Sequence, residues 1–533
     1  MSSLGRASAI IGAGTLASRL TGLLRSIVLV MVIGTSTTRA GDAFITANQL
    51  PTSIYELLAA GVITGILLPQ VVRAAQTHSD GGSQFVSKLL TLGAIVMVVA
   101  TAIVMAIAPV LIGLYGAEFT PDQLALSIAF AYWCLPQLLF YGLYALLGEV
   151  LNARKVFGPY TWAPVVNNLV SIAGFGAFLL LFGGPLKDVA DWTPDRIALM
   201  GITATGGIAL QAALVFFFWK RTGLTFRPDF RWRGMGLRHM GRLAWWTFLA
   251  VLVGQLAALV QIRIVSAASG EGNSIAALTF AWLIFMLPHS VVAMSISTSY
   301  FTVLAEDVAA GRTDRVHANL DESIRGLSVF AFGLMAAIAA ASVPIARVFT
   351  STPGEAPSFA LVLLAYLVAL VPFGVLVVIR RAFFAFHDTR TPFYFTLVQC
   401  VLAVGGALLA QALLPVSLLA AGIALAQSLS TFVQLGVAVV LLRRHVGDAG
   451  FASTWGALLR FLVAAVPAGL AGWAVFALTG GATGWTTNGR VEGVLGATLV
   501  GAAALVVYVA ALAVLRAPEL QAAVRTVTRL LRR

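Results

Sequence analysis

Runs of about twenty apolar residues, separated by short polar turns, follow one another along almost the whole chain, and a run of that length crosses a bilayer as a helix. The windows read as spans are 8–34, 42–71, 85–114, 124–152, 160–183, 197–219, 243–268, 274–303, 322–350, 358–386, 392–414, 417–442, 457–478 and 492–515. This pattern predicts an all-α polytopic membrane protein with 14 transmembrane helices. Little chain is left over for an extramembrane domain, so the function is expected inside the helical bundle.

Landmarks in the spans recur at one offset. Pro51 answers to Pro288, Pro136 to Pro372 and Arg154 to Arg390, at separations of 237, 236 and 236 residues. Near-equal offsets at matching helix positions point to internal duplication. Six helices per copy give both copies the same orientation, the parallel-repeat plan of transporters that hold substrate between two halves. The expected organisation is an N-lobe over 1–219, a basic linker over 220–242, a pseudo-symmetric six-helix C-lobe over 243–442, two additional helices over 443–515, and a basic amphipathic tail over 516–533. Pro51, Pro136, Pro288 and Pro372 are candidate hinges or static kinks. Gly61 and Gly65 form a small-xxx-small pair suited to close helix packing.

Composition fits this picture, with 59% hydrophobic and 10% charged residues. The 34 Lys and Arg against 21 Asp and Glu give a net charge of +13. Twenty-two of the basic residues fall in turns on the side of the termini and four on the opposite side. By the positive-inside rule both termini are cytoplasmic in a multi-pass plasma-membrane protein. The excess charge therefore reads as topology and contact with anionic membrane lipids, and with no soluble module to carry it, no nucleic-acid partner is expected. Cys134 and Cys400 both lie in spans, which supports neither a disulfide framework nor a metal site. No cofactor is expected. His289, beside Pro288, reads as a buried helix histidine or a proton carrier.

The candidate chemistry is charge where charge is expensive. Arg19 and Arg25 stand in a first span otherwise free of charge, and an arginine at the bilayer centre costs about 2.5–3.5 kcal/mol even on a lenient scale. Such side chains must face protein or water. Their planar, permanently charged forks suit carboxylate or phosphate oxygens. At about 1.5 Å per residue, Arg19 lies roughly 16 Å and Arg25 roughly 25 Å from the cytoplasmic start of the span, with Glu56 between them at roughly 22 Å. Arg263 enters near the outer end of the seventh span. One reading is a cationic cavity in which Glu56 serves as gate or counter-ion. The other is a buried structural pair between Arg19 and Glu56, with Arg25 and Arg263 snorkelling to headgroups.

The run Ser18-Arg19-Leu20-Thr21-Gly22-Leu23-Leu24-Arg25, then Gly41-Asp42-Ala43-Phe44, then Leu50-Pro51 with Gly61 beyond, resembles the amino-terminal signature of the MurJ (MviN) family of lipid II flippases in the MOP superfamily. Two later stretches resemble its cytoplasmic turns: Leu151 to Pro159 followed by Ala163 to Asn168, and Phe383 to Pro392, which holds Asp388, Arg390 and Pro392. The resemblance implies transport of undecaprenyl-diphosphate-linked disaccharide pentapeptide, lipid II, from the inner to the outer leaflet of the bacterial plasma membrane by rocking of two lobes. It also implies a lipid-tail groove formed by the last two helices and a diphosphate site at Arg19 and Arg25, with Arg263 a further candidate. Cell-wall synthesis proteins are candidate partners. The chain departs from the family where many members carry span-two arginines and it has Tyr55 and Glu56, and where they carry a span-eight arginine and it has Leu283.

Other functions are weighed by where acids stand. A flippase for another polyprenyl-linked glycan would use the same features. A MATE-like multidrug antiporter should carry membrane-embedded carboxylates, whereas this cavity is net basic. A membrane-embedded polyprenyl-phosphate glycosyltransferase would need an acidic site in a sizeable loop, and 220–242 holds Asp229 alone. A transporter and not an enzyme is the expectation.

Overall fold

A computed structural model describes residues 3–34, 37–62, 80–232, 237–447 and 451–520, and no strand occurs among them. The helices of the first half are α1 (Ser3–Ile33), α2 (Arg39–Val62), α3 (Ser83–Ala106), α4 (Ala108–Tyr115), α5 (Pro121–Cys134), α6 (Gln137–Ala153), α7 (Phe157–Phe182), α8 (Pro194–Phe217) and α9 (Leu237–Val265). Those of the second are α10 (Ile275–Ala309), α11 (Thr313–Ala340), α12 (Ser342–Val348), α13 (Ala356–Leu367), α14 (Leu370–Ala385), α15 (Arg390–Leu413), α16 (Val416–Val446), α17 (Phe451–Leu478) and α18 (Arg490–Val514).

Among the described residues, 12 helical stretches are long and apolar enough to cross a membrane, and each falls on an expected span. The two expected spans left over are helical as well. α2 carries Arg39, Asp42 and Glu56 and is correspondingly more polar, while α10 runs unbroken from Ile275 to Ala309 and includes the apolar stretch Ile275–Ser290. Residues 63–71 of the expected second span, Gly65 among them, lie outside the described residues, as does the tail from 521 onward.

Four expected spans are built from two helices. The breaks fall at Ile107, Leu135-Pro136, Ala341 and Val368-Ala369. Each sits within four residues ahead of, or at, a proline: Pro109, Pro136, Pro344 and Pro372. Proline lacks an N–H, and its ring collides with the carbonyl four residues back, which ends the preceding helix there. Pro51, Pro164, Pro288 and Pro467 are accommodated inside continuous helices.

Two compact units result, Met1–Gly270 and Glu271–Arg533. The division falls one helix later than the expected linker at 220–242, of which α9 already occupies the last residues from Leu237. The reason is that α9 packs along α2. Polar contacts close the joint: the Ser269 hydroxyl donates to the Asp42 carboxylate at 2.6 Å, Gln123 Nε2 donates to Ser269 Oγ at 2.8 Å, and Gln255 Nε2 donates to Glu56 Oε2 at 2.7 Å.

In the first unit α2 packs on α5 and α6, α3 on α6, α8 on α5 and α6, and α7 on α8. In the second, α10 packs on α13 and α14, α11 on α14, α16 on α13 and α14, and α15 on α16. The same neighbours recur, and so do the helix breaks at 107 and 341 and the short helices α4 and α12 that follow them. The turns after α6 and α14 also match. Lys155 and His387 are left-handed (φ 62° and 58°), and each turn closes with paired backbone bonds, Val156 N to Leu151 O at 2.8 Å and Asp388 N to Phe383 O at 2.9 Å. This alignment corrects two landmarks: Arg154 closes α6 whereas Arg390 opens α15, and Pro136 caps the start of α6 whereas Pro372 lies inside the first turn of α14, so neither pair is equivalent.

Candidate substrate-binding site in the first unit

Helix α1 is gripped along one stripe. Asn168 of α7 donates its side-chain amide to Ser18 O and Thr21 Oγ1, both at 3.0 Å. A Cβ on Gly14 would lie 2.6 Å from Thr161 and 3.1 Å from Trp162, so glycine lets the two helices approach closely there. Gly14, Ser18, Thr21 and Arg25 recur at the spacing of one helix face. Arg25 on that face is half-buried, and it lies within electrostatic reach of Tyr141 on α6. Arg19 lies about 120° round the helix from it and is exposed on the surface of the unit. Among the described residues neither arginine forms an ion pair.

The expected partnership of Glu56 with Arg19 or Arg25 is not what the geometry holds. Glu56 is exposed on α2, and its hydrogen-bond partner is the amide of Gln255 from α9. A neutral amide can satisfy one carboxylate oxygen and leaves the negative charge in place. Arg263, two turns further along α9, is also exposed, and its carbonyl accepts from Ser266 at 2.7 Å. It belongs to the same compact unit as Arg19 and Arg25, not to a second lobe.

Next to Arg25 lies a strip of tyrosines that the charge pattern does not reveal. The ring of Tyr141 is 5.7 Å from that of Tyr55. Tyr144 stacks on Tyr160 at 5.1 Å, with its hydroxyl donating to Tyr160 O at 3.0 Å. Tyr55 feels the charges of Glu149 and Glu56, and Tyr160 that of Glu149. Among the described residues Glu149 has neither a hydrogen bond nor an ion pair.

The motif residues do structural work. Asp42 is fully buried under the end of α9, and Pro51 is buried within α2. Gly61 is the penultimate residue of α2. In the second unit Pro288 lies within α10, and the neighbouring His289 packs its ring against Phe373 at 4.6 Å. Asp388 accepts from the backbone N–H groups of Arg390 and Thr391 at 2.9 Å and from the Thr391 hydroxyl at 2.6 Å, which caps α15. Burial opposes ionisation of this carboxyl, but those three donors and the charge of His445, 3.4 Å away, outweigh it and hold Asp388 below the usual aspartate range. Arg390 lies over the Tyr394 ring, and Pro392 is buried in the first turn of α15, where its missing N–H is no loss.

Helices long and apolar enough to cross a membrane make up both compact units, which defines an all-helical, multi-pass membrane protein. A family described as lipid II flippase MurJ matches residues 29–489. The chain belongs to that family. It is similar to the probable lipid II flippase MurJ of Rhizobium meliloti (strain 1021), 26% identical over 84% of this chain and 82% of that protein. It is 28% identical to the Haemophilus influenzae protein of the same name, over 78% of this chain and 82% of that protein. Among solved structures it superposes on a lipid II flippase MurJ in an inward closed conformation with a TM-score of 0.71 at 17% identity, covering 94% of this chain and 98% of that one. An inward-facing multidrug MATE transporter of the MOP superfamily gives 0.64 at 16% identity, covering 83% and 100%.

Proposed function

We infer that this chain is a lipid II flippase that carries its substrate from the cytoplasmic to the outer leaflet, with Arg19 and Arg25 receiving the diphosphate. The observation that carries the site is that two arginines stand in an apolar span with no ion pair among the described residues. A diphosphate presents several oxygens to forked guanidinium groups. In a low-dielectric surrounding such contacts are far stronger than in water. Tyr141 lies within electrostatic reach of Arg25, and the grip of Asn168 fixes the rotation of α1 that presents the pair.

Transport proceeds by alternating access between two lobes, and α17 and α18 accommodate the lipid tail. The bias of twenty-two to four basic residues supports cytoplasmic termini. Arg263 is an auxiliary cation, and Glu56, tied to Gln255, tunes the polarity of the site without neutralising an arginine. Cell-wall synthesis proteins are the partners such a carrier would supply.

The test is complementation of flippase-depleted cells. Arg19→Ala and Arg25→Ala each abolish growth while the membrane level of the protein stays near normal, and Arg→Lys rescues poorly because the fork is lost. Normal growth of Arg25→Ala would remove that residue from the mechanism.

A further inference from the structure

The tyrosine strip on the first unit is built of two ring pairs, Tyr141 with Tyr55 at 5.7 Å and Tyr144 with Tyr160 at 5.1 Å, and Glu56 follows Tyr55 in α2. Arg25 lies within electrostatic reach of Tyr141, and Glu149 within reach of Tyr55 and Tyr160. Along α6 the strip from Tyr141 to Glu149 extends about 12 Å. Tyr141, Tyr144 and Gly148 share a face of α6 at i, i+3 and i+7. Gly148 leaves room for the Tyr160 ring, which a side chain at that position would strike. All four tyrosines are half-buried, so each retains accessible surface.

The chemistry of this strip differs from that of the arginines. A diphosphate is repelled by carboxylates, yet Glu56 has an amide for its partner and Glu149 has none among the described residues. Ionisable groups inside spans are costly and mark where a polar ligand is received. Sugars carry hydroxyl groups that donate to carboxylates in short, charge-assisted bonds, and a face of C–H groups that packs on aromatic rings. Tyrosine offers both a ring and a hydroxyl.

We propose that the strip formed by Tyr55, Glu56, Tyr141, Tyr144, Glu149 and Tyr160 is a carbohydrate subsite that takes the sugar portion of the lipid-linked substrate. This rests on the reading that Arg25 holds the diphosphate. The strip then discriminates a glycan-bearing polyprenyl diphosphate from the bare carrier, which shares the diphosphate and the tail. Without it, the arginines would accept the unloaded carrier equally well.

The experiment measures binding to the full-length, detergent-solubilised protein of undecaprenyl diphosphate and of the same lipid bearing its disaccharide. The parent protein binds the disaccharide lipid at least about tenfold more tightly. Tyr55→Ala and Glu149→Gln remove most of that preference and leave affinity for undecaprenyl diphosphate unchanged, while Tyr55→Phe, which keeps the ring, retains most of it. Glu149→Gln alters a side chain with no partner of its own among the described residues, so it remains informative if Tyr55→Ala does not fold. Equal affinity of the parent for the two lipids, or preference intact in both variants, overturns the proposal. Arg25→Ala is read separately: weaker binding of both lipids upholds the diphosphate site. No change in either would sink that site and still leave the sugar preference measurable.

Discussion

Asp388 shows how one side chain sets a local structure. Its carboxylate serves three donors at the start of α15 and faces His445. Replacing such a cap with alanine costs about 1 kcal/mol, so Asp388→Ala is expected to lower the unfolding midpoint of the purified protein, with Asp388→Asn milder because the amide oxygen still accepts. The carboxyl titrates lower in the folded chain than in the unfolded one. The stabilisation is therefore complete above the ordinary aspartate value of about 3.9 and disappears as pH falls through the lower folded value. Thermal melts across acid pH check this: the gap between the native protein and Asp388→Ala should close only at strongly acid pH. A gap that closed near neutrality would assign the effect to another group.

Residues of the site differ in how far they could be read from the sequence. Arg19 and Arg25 announce themselves because a charge in an apolar run has few explanations. Tyr141, Tyr144 and Gln255 do not, since a tyrosine or glutamine in a span is compatible with packing, lipid contact or binding. Their meaning comes from which helices meet, and that depends on contacts far apart in sequence. Glu56 was legible as a buried-depth carboxylate, but its neighbour was not: reaching Gln255 requires knowing that α9 lies along α2.

At the scale of elements, the apolar pattern located the 12 helical stretches able to cross a membrane among the described residues, but not the interruptions. A run such as 124–152 stays apolar across Pro136, so hydropathy alone sees one helix where backbone geometry makes two. The pairing of α1 with α7 is likewise specified by a few polar and small residues, Gly14 and Asn168 above all. Hydrogen bonds between helices in a membrane average about 0.6 kcal/mol and reach about 1.7. Asn168→Leu, which loses two such bonds and crowds the joint, is expected to destabilise by about 1–2 kcal/mol. It should also impair transport in cells, because α1 would no longer present Arg25 at a fixed angle. Unfolding in detergent beside a complementation assay separates these effects, and unchanged values in both would mean the grip is dispensable.

For the molecule as a whole, prolines recurring at one offset raise the expectation of two like halves, and the repeated helix breaks and helix neighbours of the two units are consistent with it although Pro136 and Pro372 fall at different helix positions. The boundary was not legible. A basic, glycine-containing stretch at 220–242 looks like a joint, yet α9 beyond it packs with the first unit. A chain cut at 270 and co-expressed as residues 1–270 and 271–533 should assemble and complement better than one cut at 230, because only the former cut leaves α9 covalently within the unit it packs in. Equal complementation by the two pairs would show that packing of α9 on α2 is not decisive.

The bond between Ser269 and Asp42 bears on how the chain is made as well as how it stands. Asp42 belongs to the second helix to leave the ribosome, and the hydroxyl that meets it is 227 residues later. Until that residue has been synthesised, a carboxylate destined for full burial has to wait in the membrane without this donor. Membrane insertion of the early helices therefore precedes their final packing by nearly half the time of translation. A nascent chain stalled before Ser269 emerges has every residue of α2 in place and still lacks the bond that ties α2 to the segment after α9.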